Sequence, residues 1–362
     1  MAKEKGHIAD SGPALGHVGK PLADRRIETS APCRIDFGGT LDISSFHYPL
    51  RRLAPTTVNI ALDLRTTVRL DPADDDDIHI LSTGISEAAF PPGEAPYDHP
   101  LGLMFAVADY FGARGVRIGI ASASPPRSGL GGSSVAAVAL ITAFDRLMAT
   151  LGRPERSLAD RVILAHAIEQ GVAGVPCGLQ DQLAAAYGGI HAWRWPAEAG
   201  QAPFARRRLC TVAGPARLDD HLLVAYLGVT HVSKDVNSTW VRQFIHAESR
   251  DQWRTIVRLT HDFADALDRF DMPAAAMAMN RETAIRRAMT PHVLESMGQR
   301  LADAAMAAGC GARFTGAGGG GCLWAIGEAK AIAALKPVWA GLLAERPTAG
   351  LLDCRVDTRG VA

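Results

Sequence analysis

Residues 125–148 read Pro-Pro-Arg-Ser-Gly-Leu-Gly-Gly-Ser-Ser-Val-Ala-Ala-Val-Ala-Leu-Ile-Thr-Ala-Phe-Asp-Arg-Leu-Met. Three glycines and two serines precede a run of alanine, valine and leucine that favours a buried helix. Glycine lets the backbone turn sharply and approach a ligand closely, and serine is a good N-cap for a helix. A glycine loop at a helix N-terminus presents free N–H groups and the positive end of the helix dipole. The stretch therefore predicts an anion-binding site.

Two familiar phosphate loops do not fit these residues. The Walker A pattern requires a lysine before its Ser/Thr, and this loop contains no lysine. The dinucleotide fingerprint requires a glycine at the position of Ser134. Taken alone, the stretch could equally be an ordinary capped core helix, so the choice depends on the rest of the chain.

Residues 126–134 resemble the phosphate-binding motif of the GHMP kinase superfamily, and two more superfamily motifs occur in the expected order. Residues 31–42 (Ala-Pro-Cys-Arg-Ile-Asp-Phe-Gly-Gly-Thr-Leu-Asp) resemble the N-terminal motif, and residues 314–322 (Phe-Thr-Gly-Ala-Gly-Gly-Gly-Gly-Cys) resemble the C-terminal one. The alternation of strands and helices in both halves indicates an α+β protein. The resemblance implies the two-domain GHMP kinase architecture with a ferredoxin-like C-terminal domain.

The predicted organisation has three parts. Residues 1–28 are interpreted as a mobile N-terminal extension, residues 29–205 as the N-terminal domain with the nucleotide and catalytic motifs, and residues 206–362 as the C-terminal domain. Residues 175–189 (Val-Pro-Cys-Gly-Leu-Gln-Asp-Gln-Leu-Ala-Ala-Ala-Tyr-Gly-Gly) are similar to the Asp-Gln segment of the sugar-kinase branch, which includes galactokinases, fucokinases and heptose-phosphate kinases. This likeness implies an ATP- and Mg²⁺-dependent kinase of a sugar hydroxyl. A non-catalytic sugar or nucleotide sensor on the same fold, and a kinase of a non-sugar alcohol, are the alternatives.

Phosphoryl transfer requires mainly positioning and charge neutralisation from the protein. The resemblance assigns catalytic roles to Asp181 and to Arg34, which would keep that aspartate ionised. It assigns magnesium ligation to Ser133 and Glu169, since Mg²⁺ takes oxygen ligands. Without the resemblance, Glu169 could be a solvent-facing helix residue, Asp181 a helix N-terminal aspartate and Arg34 a surface arginine at a strand end.

Both glycine-rich stretches are predicted to contact ATP, and the residues concerned are Pro126, Ser128, Gly129, Leu130, Gly131, Gly132, Ser133, Ser134, Gly316, Gly318 and Gly319. The substrate is expected near Asp36, Gly39, Thr40, Asp42 and His231. The chain departs from its relatives here. Its Gly-Gly-Thr-Leu-Asp run is one residue shorter before the aspartate than the corresponding run of galactokinases. His231 stands where heptose-type relatives tend to have arginine. These departures argue against galactose and against an acceptor that is already phosphorylated.

Composition limits the remaining possibilities. The 38 basic and 38 acidic side chains balance in a chain of 362 residues, which argues against nucleic acid or a charged membrane surface as partner. No run of 18 apolar residues and no signal-like N-terminus occur, so we expect no membrane segment and a cytoplasmic protein. Six scattered cysteines without a C-x-x-C pair favour reduced thiols. The expected partners are ATP and a small sugar-like substrate, and the expected state is a monomer or a homodimer.

Overall fold

The structure is a computed structural model that describes residues 15–23, 25–174, 176–198, 200, 202–211, 214–229 and 233–362. Within these residues the strands of the N-terminal half are β1 (Gly16–His17), β2 (Ile27–Phe37), β3 (Thr56–Pro72), β4 (Ile78–Ser82), β5 (Ile85–Phe90), β6 (Ala113–Arg114), β7 (Val116–Ser122), β8 (Ile190–Arg194) and β9 (Ala205–Arg208). Its helices are α1 (Gly19–Ala23), α2 (Ser44–Leu50), α3 (Gly102–Tyr110), α4 (Gly132–Thr150), α5 (Leu158–Ala173) and α6 (Gln180–Tyr187).

The C-terminal half contains longer helices and a smaller sheet. Its strands are β10 (Leu222–Tyr226), β11 (Gly311–Phe314), β12 (Cys322–Ile326) and β13 (Gly350–Leu352). Its helices are α7 (Ser233–Ile245), α8 (Arg250–Arg269), α9 (Met272–Met289), α10 (Ser296–Ala307) and α11 (Ala329–Leu343). The mixed helix and sheet content confirms the predicted α+β class.

The N-terminal sheet is organised around β3. This 17-residue strand pairs antiparallel with β2, β7 and β8, while β4 pairs parallel with β7. The sequence predicts two paired strands, over residues 57–63 and 66–70, but they are one continuous strand. Leu64 and Arg65, which separate the two predicted strands, are not turn-forming residues, so the strand continues through them, with a β-bulge opposite Ala31–Cys33.

Helix α4 crosses the sheet against β2 and β3 and is flanked by α3, α5 and α6. Its length and apolar composition would suffice to span a membrane, but 72% of the relevant 18-residue window is buried inside the protein. A helix that is apolar on nearly all sides is expected at this position, because sheet and helices cover it from several directions. The sequence prediction of a buried helix after the glycine loop is confirmed.

The C-terminal sheet is antiparallel in the order β11-β12-β10-β13. Along the chain its elements follow as strand, helices, two strands, helix and strand. This is the β-α-β-β-α-β order of ferredoxin-like folds, which supports the ferredoxin-like description of this half.

The predicted domain limits differ from the structure at the N-terminal extension and at the boundary between the two domains. Residues 15–23 are not a free extension: β1 pairs with β6, and Val18 and Leu22 are buried. Residues 1–14 lie outside the described part. The predicted boundary at residue 205 cuts β9, which is hydrogen-bonded to β8 of the N-terminal sheet.

The C-terminus returns to the N-terminal sheet. The N–H of Ala362 donates to the carbonyl of Ser30 at 2.9 Å, and Arg65 forms an ion pair with Asp357 at 2.5 Å. The chain therefore crosses between the halves twice, which a single predicted boundary cannot describe.

Candidate active site

The first glycine loop, residues 126–134, leads from β7 into α4. Gly131 immediately precedes the helix with φ at +81°, and no side chain caps the first helical turn. The sequence predicts serine caps, but the hydroxyls of Ser133 and Ser134 donate to Glu169 instead. The N–H groups of the first turn are therefore not occupied by a capping side chain, and the helix dipole favours an anion there.

The second glycine loop, residues 315–321, lies directly against the first. The N–H of Cys322 donates to the carbonyl of Ser128 at 2.8 Å. A Cβ added at Gly321 would lie 2.5 Å from the same carbonyl oxygen. Glycine is required at this position because two backbones meet there.

The three glycines of the second loop that were predicted to hold the nucleotide have N–H groups that already bond within the protein. Gly316 donates to the Asp36 carboxylate at 2.7 Å. Gly319 donates to the carbonyl of Val293 at 2.8 Å, and Gly318 donates within its own loop. These bonds hold the loop in place, and the predicted close approach of its backbone to the nucleotide stays a prediction. In this structure the second loop supports the first.

Asp181 and Arg34, the predicted catalytic pair, are in direct contact. Asp181 lies in the first turn of α6, and Arg34 lies on β2. The Nε of Arg34 donates to Oδ1 of Asp181 at 2.8 Å, and its Nη1 donates to the carbonyl of Gly129 at 2.5 Å. Burial opposes the charge of Arg34, but Asp181 and Asp36 outweigh burial and raise its pKa. The guanidinium thus joins the carboxylate to the first glycine loop.

Glu169, the predicted magnesium ligand, faces the start of α4 from the end of α5. Its carboxylate accepts hydrogen bonds from the hydroxyls of Ser133 (2.9 Å) and Ser134 (2.7 Å) and from the Gln182 amide (2.6 Å). Burial raises the pKa of Glu169, the bond from Ser134 lowers it, and the charge of Asp181 raises it. The three groups that hold this carboxylate are all neutral.

A carboxylate held only by neutral donors next to a second carboxylate fits a cation. Mg²⁺ prefers oxygen ligands and often takes one or two carboxylates together with substrate phosphate oxygens and water. Glu169 and the Ser133 hydroxyl could supply the protein ligands. No group of three or more His, Cys, Asp or Glu that could hold a metal occurs in the described part of the chain.

The acceptor loop, residues 38–42, contains three of the predicted substrate residues. Asp42 is buried and accepts the N–H of Gln180 at 3.1 Å. Burial raises the pKa of Asp42 to about 7, and Asp181 adds to the effect. Thr40 has φ at +81°, a conformation that a β-branched residue rarely adopts. At Gly39, any Cβ would collide with the Asp36 carboxylate.

Asp36 and His231, the other two predicted substrate residues, lie outside the acceptor loop. Asp36 was predicted to contact the substrate, but its side chain is fully buried. One of its oxygens accepts the N–H of Gly316 and the other forms an ion pair with Arg313 at 3.0 Å. It therefore joins β2 to the C-terminal half. His231 lies outside the described residues.

Sequence analysis missed three charged residues of the C-terminal half. Glu282 forms ion pairs with Arg286 (2.8 Å) and with Arg313 (3.0 Å), and none of the three side chains is exposed. Burial lowers the pKa of Arg286 to about 10, so it stays protonated at neutral pH. The i, i+4 spacing of Glu282 and Arg286 is a signal for a helical ion pair. That spacing does not reveal that the pair is buried against the acceptor loop.

Part of the chain matches a known protein family. Residues 99–189 match the family model described as GHMP kinases N terminal domain. Comparison with curated protein sequences gives no match.

Several solved structures are similar over nearly the whole chain. A D-glycero-D-manno-heptose 1-phosphate kinase from Bacteriodes thetaiotaomicron is 17% identical, with a TM-score of 0.71, covering 92% of this chain and 97% of that one. Lactococcus lactis galactokinase complexed with galactose is 15% identical (TM-score 0.71; 94% and 95% covered). Streptococcus pneumoniae phosphomevalonate kinase in complex with phosphomevalonate and AMPPNP is 14% identical (TM-score 0.69; 91% and 99% covered). At these identities the likeness establishes the fold.

Proposed function

We propose that the protein is an ATP- and Mg²⁺-dependent kinase of a sugar or sugar derivative, because residues 99–189 match the model of the GHMP kinases N terminal domain and the whole chain has the fold of these kinases. It would transfer the γ-phosphate of ATP to a hydroxyl group. The ion pair between Asp181 and Arg34, whose guanidinium also donates to the carbonyl of Gly129, carries this proposal. The pair places a carboxylate beside the phosphate loop, where it can orient an attacking hydroxyl or accept its proton.

The first glycine loop binds the triphosphate in this proposal. Gly131 and Gly132 allow close approach of phosphate oxygens to the backbone, and the first-turn N–H groups of α4 stabilise their charge. Ser133 and Glu169 hold Mg²⁺, which neutralises charge on the phosphates when bound. Arg34 balances the negative charge of Asp181 through an ion pair at 2.8 Å.

The acceptor lies against Gly39, Thr40 and Asp42, with His231 as a further predicted contact. Asp42 suits hydroxyl recognition, because a carboxyl group with a pKa of about 7 can both donate and accept hydrogen bonds near neutral pH. The described carboxylates Asp42, Asp181 and Glu169 would repel an acidic acceptor. This repulsion supports an uncharged acceptor over one that is already phosphorylated.

Phosphoryl transfer from ATP to a panel of acceptors tests the proposal. ADP formation is followed with Mg²⁺-ATP and neutral hexoses, heptoses, sugar phosphates or mevalonate-type alcohols. A neutral sugar that raises ADP formation above the water-only rate supports the proposal. Turnover with a mevalonate-type alcohol and with no sugar identifies a kinase of a non-sugar alcohol. This outcome is open because the phosphomevalonate kinase also has a similar fold, with a TM-score of 0.69. Sugar-dependent thermal stabilisation without turnover identifies a sensor.

The location and assembly of the protein also belong to this proposal. The six cysteines all lie within the described residues and are free thiols, which supports a reducing compartment such as the cytoplasm. ATP and the acceptor are the proposed partners, and a monomer or homodimer is the proposed state.

A further inference from the structure

Glu282, on α9, is placed between two arginines that lead to different parts of the candidate site. Its Oε1 accepts from Nε of Arg286 at 2.8 Å, and its Oε2 accepts from Nε of Arg313 at 3.0 Å. All three side chains are completely buried. Buried charges are costly unless partners compensate them, and removal of one partner leaves the other uncompensated. The two arginines are therefore held firmly by one carboxylate.

The first branch leads to the acceptor loop. Arg286 donates to the carbonyl of Gly39 at 2.6 Å and to the Thr40 hydroxyl at 3.3 Å. Its guanidinium lies 4.6 Å from the ring centroids of both Trp240 and Trp253, which orients it by cation–π contact. Thr40 has φ at +81°, and such a conformation persists only when its surroundings enforce it. Arg286 supplies that enforcement through two donors.

The second branch leads to the catalytic pair. Arg313 donates to the Asp36 carboxylate and to the Asp36 carbonyl, both at 3.0 Å. Asp36 lies 3.5 Å from Arg34, which in turn pairs with Asp181. A chain of alternating charges thus runs from Glu282 to Asp181.

We propose that Glu282 is a positioning residue that sets both sides of the reaction from one carboxylate. Through Arg286 it holds the acceptor loop, and through Arg313 and Asp36 it holds Arg34 against Asp181. The kinetic part of this inference rests on the proposed function, whereas the structural coupling does not. Because Arg286 and Arg313 contact different parts of the site, substitution of each arginine should change a different kinetic constant.

Substitution of Arg286 by lysine tests the acceptor branch. Lysine keeps the positive charge but lacks the planar fork that reaches Glu282, Gly39 and Thr40 together. Loss of one or two hydrogen bonds to a charged group predicts an acceptor KM about 10- to 100-fold higher, with kcat and the KM for ATP within about three-fold of wild type.

Substitution of Arg313 by lysine tests the catalytic branch. Misplacement of Arg34 and Asp181 predicts a kcat about 10- to 100-fold lower, with the acceptor KM nearly unchanged. Glu282→Gln combines both effects. Arg281→Lys, on the exposed face of the same helix, is the matched control and should resemble wild type.

Hydrogen–deuterium exchange of the unliganded protein provides a second measurement that needs no activity. Arg286→Lys should speed amide exchange in residues 39–43 and leave residues 128–134 as in wild type. Unchanged exchange in residues 39–43, or a rise in KM for ATP equal to that for the acceptor, overturns the proposal. If Arg286→Lys does not fold, Glu282→Gln takes its place, and unchanged exchange in both residues 39–43 and residues 313–317 overturns the proposal.

These two measurements separate the inference from the proposed function. A wild-type protein that phosphorylates no alcohol disproves the kinase, while the exchange experiment still decides the coupling. An active wild type with an unaffected Arg286→Lys variant disproves the coupling alone.

Discussion

Asp181→Asn is the perturbation that most directly tests the proposed chemistry. The change keeps the shape of the side chain and removes its charge and basicity. Arg34 is not left unbalanced, because it retains Asp36 at 3.5 Å and the carbonyl of Gly129 at 2.5 Å. The Asp181 side chain is 22% exposed, so water screens part of the lost pair. We expect a stability cost of about 1–3 kcal/mol, between that of an exposed and a buried ion pair.

The expected effect on turnover is much larger than the effect on stability. A positioned acid–base group contributes about 10²- to 10⁴-fold, so kcat should fall by that factor. This corresponds to a barrier higher by about 3–5 kcal/mol at 1.36 kcal/mol for each factor of ten. Affinity for ATP should change little, because Asp181 faces the acceptor in the proposed site. Arg34→Met acts on the same unit, so the double variant should lose less than the product of the two single losses.

The assay is steady-state ADP formation with the best acceptor found for the wild type, alongside calorimetric titration with ATP. Asp262→Asn is the matched control, since it makes the same chemical change on the exposed face of α8. A folded Asp181→Asn enzyme within a few-fold of wild type would remove Asp181 from the mechanism. A parallel loss of ATP affinity would instead place Asp181 on the nucleotide side of the site.

Three further predictions concern the phosphate loop, the metal and pH. Gly132→Val should abolish ATP binding measured by calorimetry, because the side chain would occupy the space in which phosphate approaches the backbone. The melting temperature should stay nearly unchanged, because no protein atom lies within 4 Å of a Cβ at this position. Gly131→Val is a less suitable variant, because its side chain would also contact Asp181. Glu169→Gln and Ser133→Ala should each shift the Mg²⁺ titration of activity to higher concentration, and unchanged curves for both would exclude them as ligands. In the folded state Asp42 holds its proton up to about pH 7, whereas its ordinary pKa is 3.8, so its stabilising contribution is present at low pH and is lost as pH rises from 4 to 7. Between pH 4 and pH 8 the free energy of unfolding measured with denaturant should therefore fall by about 4 kcal/mol more in wild type than in Asp42→Asn, at 1.36 kcal/mol for each pKa unit. An equal fall in both proteins would refute the assignment.

The parts of the site that could be predicted from sequence are those in which the backbone itself makes the contact. Gly321 meets the carbonyl of Ser128, and Gly131 takes a left-handed conformation at the start of α4. Only glycine suits such positions, so the two loops are visible in the sequence as glycine-rich runs. The pairing of Arg34 with Asp181 depended on family resemblance, because 147 residues separate the two side chains.

The parts that could not be predicted depend on which side chains become buried together. Glu282, Arg286 and Arg313 are charged residues of types that are normally exposed. Their complete burial follows from the packing of α9 against β11 and from the bonds of Arg313 to Asp36 on β2, and one helical spacing does not specify it. The sequence likewise did not indicate the direction of the Asp36 side chain. Asp36 was predicted to contact the substrate together with Gly39, but its carboxylate accepts from Arg313 and from the N–H of Gly316.

The division of the site between the two halves limits what the family match can say about the substrate. Residues 99–189 include the phosphate loop and Glu169, which bind ATP and the metal in our proposal, and Asp181, which faces the acceptor hydroxyl. Arg34, the acceptor loop and the Glu282 network all lie outside that segment. Without Arg313 from β11, Asp36, which lies 3.5 Å from Arg34 of the catalytic pair, would lose its 3.0 Å ion pair inside the protein. The residues proposed to contact the acceptor, in residues 38–42, and Arg286, the C-terminal arginine that holds them, both lie outside the matched segment, so the acceptor has to be identified with the full chain.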